Sequence, residues 1–239
     1  MSNSKLVDYK KLSPHHSGKR NHKIDKITIH HMAGNLSVET CGNVFQTRKA
    51  SANYGIDSNG RVGLYVDEAN RSWATSSPEN DNRAVTIEVA NDKIGGNWHV
   101  SKKALAKLID LCVDICQRNG IEKLNYTGNK SGNLTMHQWF APTARPGPYL
   151  KSKSPYIAKE VNKRLKKDKK MYRVQVGAFK QKSSADTLAD KIEKTGRKPS
   201  VVKADGLYKV QVGAFKQKKN ADKLCAELKK DGFKAIVVE

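Results

Sequence analysis

Apolar positions along the chain follow two rhythms, and each predicts a kind of element. Alternation with β-branched content marks strands at 26–30, 61–66 and 84–89. Helical spacing marks 38–50 and 101–119, the second carrying Leu105, Leu108, Ile109, Cys112, Ile115 and Cys116 as one buried stripe. Ser101 suits the N-cap of that helix and Gly120 the position just past its end. A last stripe of Ile157, Ala158, Val161 and Leu165 predicts a helix over 155–165, closing a first domain of residues 1–165. Strands and helices intermixed in this way predict an α/β domain, a central mixed sheet flanked by helices.

Beyond a charged run, KKDKK at 166–170, which reads as a linker, the chain repeats itself. YRVQVGAFKQK at 172–182 returns as YKVQVGAFKQK at 208–218. Each copy starts as a strand and leads into a helical stretch, 183–195 and 219–230, with further strands near 200–202 and 235–238. The order β-α-β-β-α-β predicts one ferredoxin-like domain, 171–239, made from two halves. Alternation sends Val174, Val176, Val210 and Val212 toward the helices and leaves Arg173, Gln175, Lys209 and Gln211 on the open face.

Composition adds a charge problem. Net charge is +22, with 25 basic against 14 acidic residues up to 165 and 20 against 9 after it. Such an excess calls for a polyanionic environment, which nucleic acid and anionic wall polymers satisfy equally. No apolar run approaches the ~20 residues that span a bilayer, and residues 1–20 lack a hydrophobic signal core, so the expectation is a protein made in the cytoplasm with no membrane partner. Cys41, Cys112, Cys116 and Cys225 follow no metal or disulfide spacing and read as reduced core residues.

Three residues stand out as candidate chemistry. In KITIHH, alternation puts Ile27, Ile29 and His31 on one face and leaves Thr28 and His30 on the other. His137 ends the strand-like LTMH, ahead of Trp139 and Phe140. Glu88 sits within the apolar strand VTIEVAN, where a carboxylate is either salt-bridged or functional. Lone histidines are more often structural than metal-ligating, and these two show no local zinc spacing.

The ordered segments ITIHHMAGN, ANYGIDSNGRVGLYVDE, VTIEVAN and MHQWFAPTARPGPYL resemble the type-2 N-acetylmuramoyl-L-alanine amidases, the group that includes phage endolysins and peptidoglycan recognition proteins. The repeat with its V-Q-V-G-A-F core resembles the SPOR domain, a module that binds peptidoglycan glycan strands stripped of stem peptides. The first resemblance implies hydrolysis of the amide between N-acetylmuramic acid and L-alanine with one Zn2+, His30 and His137 as two ligands and Glu88 as the catalytic acid. It also shows two departures: Arg145 occupies the third ligand's place in T-A-R-P-G, and Thr143 stands where the family often has a basic residue. Arginine cannot ligate zinc, so the resemblance leaves two outcomes, a site completed by another group or an impaired enzyme. The second resemblance implies Gln175 and Gln211 as principal sugar contacts, with Arg173 and Lys209 beside them. For Phe179 and Phe215, sugar stacking and packing at the strand-to-helix turn both stay open.

Three functions follow. The leading one is a wall amidase of phage or prophage endolysin type that acts at the wall after release. The second is a peptidoglycan-binding protein that does not cut. A nucleic-acid binder is disfavoured, because the repeat strands carry Gln and Gly where an RNA-recognition sheet places stacking aromatics.

Overall fold

Short β-branched strands and one long amphipathic helix build the first of two units, Met1–Leu165 and Lys166–Glu239, in a computed structural model that describes residues 2–169 and 171–239. In chain order the first unit holds β1 (Tyr9–Lys10), β2 (His16–Lys19), β3 (Lys26–His31), α1 (Val38–Thr47), β4 (Tyr54–Ile56), β5 (Val62–Leu64) and β6 (Asn70–Ser72). There follow α2 (Pro78–Arg83), β7 (Ala84–Val89), α3 (Lys102–Arg118), β8 (Leu134–Met136) and the start of α4 (Gly147–Lys169). Six strands pair in the order β1-β5-β4-β7-β3-β8, parallel except for β4 against β5, and β2 pairs with β6 in a separate ribbon. The central sheet is thus mixed and flanked by helices.

Helix α3 forms where the apolar stripe predicts it. Ser101 caps it by accepting from Ala104 N over 3.0 Å, and Leu108, Leu111, Cys112, Ile115 and Cys116 are wholly buried against the sheet. Each such aliphatic side chain contributes about 1.5–3 kcal/mol by leaving water, so truncating Leu108 to alanine should cost about 2–5 kcal/mol. All four cysteines are buried and free.

Two expectations need correction. Helix α4 starts at Gly147, eight residues ahead of the expected start at 155, with Pro155 inside it, and continues through Lys166 to Lys169 where a linker was expected. Proline reads as a stop, yet here only one intrahelical donor is lost, while buried Leu150, Ile157, Val161 and Leu165 hold both halves to one core. Lysine-rich sequence is a good helix former, so nothing ends the helix at Leu165. Lys170, the last residue of the expected linker, lies outside the described residues. The other difference is omission: β1, β2, β4, β6 and α2 are too short to show a period.

The second unit contains β9 (Tyr172–Phe179), α5 (Lys182–Glu193), β10 (Pro199–Ala204), β11 (Leu207–Phe215), α6 (Lys218–Lys230) and β12 (Ile236–Val238). Its sheet runs β10-β11-β9-β12, antiparallel throughout, the ferredoxin-like arrangement. Val174, Val176, Val210 and Val212 meet Ala185, Ile192, Ala221 and Leu228 in one core. The repeated V-G-A-F has a packing reason. Phe179 lies so close over Gly177 that a Cβ there would sit 2.7 Å from its ring, and Phe215 covers Gly213 in the same way at 2.9 Å. Gly213 also has φ +72°, at a register shift where β11 bulges. Both phenylalanines pack on the core, which is the packing alternative of the two left open.

Candidate active site

Register carries the site. Strands β3 and β7 run parallel, so Thr28 lies beside Thr86 and His30 beside Glu88 on one face, while Thr28 also lies beside Thr135 of β8. The threonines are buried and satisfied. Thr28 Oγ1 and Thr135 Oγ1 are 2.7 Å apart, Asn80 Nδ2 donates to Thr28 Oγ1 over 3.0 Å, and Thr86 Oγ1 lies 2.8 Å from Ser72 Oγ.

Two residues further along, at the C-terminal ends of the strands, this pairing stops. His30 Nε2, Glu88 Oε2 and His137 Nδ1 are buried atoms with no hydrogen-bond partner. His30 Nδ1 is 3.8 Å from Glu88 Oε1, and the His30 and His137 rings are 4.8 Å apart. An unsatisfied buried polar atom costs about 1–3 kcal/mol, which a fold sustains where a ligand completes the set. The C-terminal ends of parallel strands are also where α/β sheets gather their sites.

Burial dominates the electrostatics. It raises the Glu88 carboxyl to about 7, against the opposing pull of Arg145 and Arg48. It lowers His137 to about 4, aided by Arg145, and holds His30 well below its ordinary value, aided by His137, Arg145 and His31. Near neutral pH both rings are therefore neutral and Glu88 is poised between acid and base. His31, on the opposite face as its parity requires, is buried against Asn91 Oδ1 at 3.1 Å and edge-on to Trp98.

Arg145 is the cation that acts on His30, His137 and Glu88 alike. Its Nε donates to His31 O over 3.3 Å, and its own carbonyl accepts from Gln138 N at 2.9 Å, which ties the loop down beside His137. Gly147, at φ +82°, closes the loop where a Cβ would stand 3.3 Å from the His31 ring. Glu88, His137 and Arg145 line a cleft of about 480 Å³ with Phe45, Arg48 and Lys49 from the end of α1, and Arg71 and Trp73 from in and beside β6.

The donor chemistry does not fit the zinc that the resemblance implies. His30 Nε2 and His137 Nδ1 are free to ligate, but among the described residues no three His, Cys, Asp or Glu side chains group to hold a metal ion. A zinc site needs three protein donors, and the residue at the third place is a permanent cation.

Sequence reasoning found His30, Glu88 and His137, which the fold brings together, but missed Arg48, Lys49, Arg71 and Trp73. Arg71 and Trp73 alternate across the end of a three-residue strand, too short to signal a face. In the second unit Gln175 and Gln211 lie directly opposite each other in the sheet, away from the core, and half-buried. Arg173 shares that face, and Lys209 does too but is ion-paired with Asp205.

A parallel-strand site over a mixed sheet, followed along the chain by a repeat-built module, defines the class. Residues 20–148 match the N-acetylmuramoyl-L-alanine amidase family and residues 168–239 the SPOR domain. The first match takes in more than half of the chain, which therefore belongs to the N-acetylmuramoyl-L-alanine amidase family and carries a C-terminal SPOR domain. Among solved structures, a mutant endolysin from Bacillus subtilis has 16% identity and TM-score 0.52, covering 65% of this chain and 99% of that one. Staphylococcus aureus hydrolase AmiA in complex with its ligand has 16% identity and TM-score 0.51, covering 68% and 85%. At that identity the likeness concerns the fold alone. The peptidoglycan binding domain of the B. subtilis cell wall lytic enzyme CwlC is 54% identical over 28% of this chain and 86% of that one, with TM-score 0.27. No curated protein matches the chain.

Proposed function

We propose that the first unit hydrolyses the amide between the lactyl group of N-acetylmuramic acid and L-alanine, in an endolysin-type wall hydrolase held on glycan by its SPOR domain. The observation that carries this reading is Glu88, a buried carboxyl raised to about 7 with a free oxygen, beside two neutral histidines in a cleft. Glu88 takes the proton of the attacking water and returns it to the alanine nitrogen as the C–N bond breaks. The Arg145 guanidinium offers positive charge where the carbonyl oxygen becomes negative. Glu88→Gln keeps the shape and loses the base. It should reduce release of stem peptide from purified walls by roughly 10²–10⁴-fold while sedimentation with walls is unchanged, and wild-type turnover in that variant defeats the assignment.

Arg145 favours a second reading, in which the domain grips the wall and does not cut. Arg145→Cys decides between the two: if Arg145 stabilises the oxyanion, wall lysis should fall with no gain of zinc. If the arginine stands in for a lost ligand, the cysteine gives His30 and His137 a third donor, and bound zinc and wall lysis should rise together. Unchanged zinc and unchanged lysis would place the ligand position elsewhere in the loop.

A further inference from the structure

The cleft holds more positive charge than the reaction uses. Arg48, Lys49 and Arg71 line it from two separate elements, the end of α1 and the middle of β6. Among the described residues none of the three is ion-paired. The other carboxylate in the cleft, Asp81, is already committed: it accepts from Thr75 Oγ1 at 2.6 Å, Thr75 N at 3.1 Å and Ala74 N at 3.2 Å.

Arg71 is the ordered member of the group. One Nη donates to Ser17 Oγ over 2.6 Å, and the same oxygen accepts from Trp73 Nε1 at 2.6 Å, so strand ribbon and indole hold the guanidinium in place. Its Nε–H is left without a partner. A guanidinium with its position set, its buried Nε–H unpartnered and its charge unpaired is suited to a planar oxyanion, and low-dielectric walls strengthen the attraction. Arg48 is different. It is exposed at the C-cap of α1, its backbone N–H bonded to Val44 O and its side chain free to follow a ligand.

We propose that Arg71, assisted by Arg48 and Lys49, binds a free carboxylate on the residue that follows the cleaved alanine, so the cleft selects acidic stem peptides over amidated ones. Glu88 and Arg71 line the same cleft, and an extended peptide advances about 3.3–3.6 Å per residue, so the second residue lies within about 7 Å of the scissile bond. The inference rests on the amidase reading of that cleft.

The test uses the full chain and two soluble muramyl tripeptides that differ in one group, D-isoglutamate against D-isoglutamine at the second position, with affinity read by calorimetry. The acid should bind roughly tenfold tighter, as expected for one charge-assisted contact. Arg71→Gln should abolish that preference. Arg48→Gln, at an exposed helix end that folding does not need, should reduce it, and carries the test if Arg71→Gln melts early. Equal affinity for the two probes, or a preference that survives both substitutions, overturns the proposal. So does displacement of the acid by glycerol phosphate at equal concentration, which would make the cleft a phosphate site. If walls are cut while the probes bind alike, only this inference fails. If Glu88→Gln still cuts walls, the amidase reading fails first.

Discussion

The two units keep their polar chemistry in opposite places. In the first, Thr28, Thr86, Thr135, His30 and Glu88 lie on a sheet face that α2 and β6 help cover, so every polar atom there needs a partner or a purpose. In the second, Arg173, Gln175 and Gln211 stand half-buried on the sheet face opposite α5 and α6, where water reaches part of each side chain. A site of the first kind resides in a few atoms left unsatisfied. A site of the second kind is spread over a surface, and no single residue announces it.

Ion pairs show the same division and give the larger expected effects on it. Glu68 is fully buried, accepts from Tyr54 OH at 2.6 Å, and holds Arg118 through both carboxylate oxygens at 2.6 and 2.8 Å. Glu68→Ala takes the acceptor from the Tyr54 hydroxyl and leaves Arg118 with Asp114 as its remaining carboxylate, and should lower unfolding free energy by about 1–3 kcal/mol, read from urea denaturation. In the second unit Lys218 and Asp222 pair one helical turn apart in water. Asp222→Asn should leave the denaturation midpoint where it is. A comparable loss from both substitutions would break the contrast.

Function should divide as stability does. In the first unit one substitution, Glu88→Gln, should remove the chemistry. On the open sheet, Gln175→Ala and Gln211→Ala should each weaken binding of denuded glycan by a factor of a few, and the pair together by roughly tenfold, since each removes about one neutral hydrogen bond. That loss should persist at high salt, whereas any contribution from lysines is screened. Binding by the double variant equal to wild type at high salt would move the sugar contacts off this face.

The same difference explains what could be read from the sequence. Glu88 was legible because an acidic residue inside V-T-I-E-V-A-N is costly wherever that strand is buried, and His30 because parity separates it from His31. The repeat was legible because both copies keep glycines that phenylalanine rings cover. Arg71 and Trp73 were not, since their strand has three residues and their cleft is assembled from β6, α1 and the loop at Arg145. The length of α4 was hidden by Pro155, because proline's local preference says nothing of the apolar contacts on either side that outweigh it.

A small expected effect lies between the two extremes and tests the sign of the electrostatics. Asp25, ahead of β3, accepts from Arg83 Nε at 3.0 Å and Nη2 at 2.6 Å, in a pair that is neither buried nor fully exposed. Burial alone would raise the Asp25 carboxyl, but the hydrogen bonds and charge of Arg83 outweigh it and hold the group below its ordinary 3.8. A carboxyl depressed in the folded state stabilises the fold above its unfolded pKa and loses that contribution as pH falls through its folded one. Asp25→Asn should therefore lower stability at pH 6–7 by less than about 1 kcal/mol, the range of partly exposed pairs. The gap between variant and wild type should narrow as the pH drops below 3.8. Urea midpoints measured for both proteins across that range decide it: a gap that stays constant would mean the carboxylate acts by shape and not by charge, and one that widens in acid would mean the sign assigned to Arg83 is wrong.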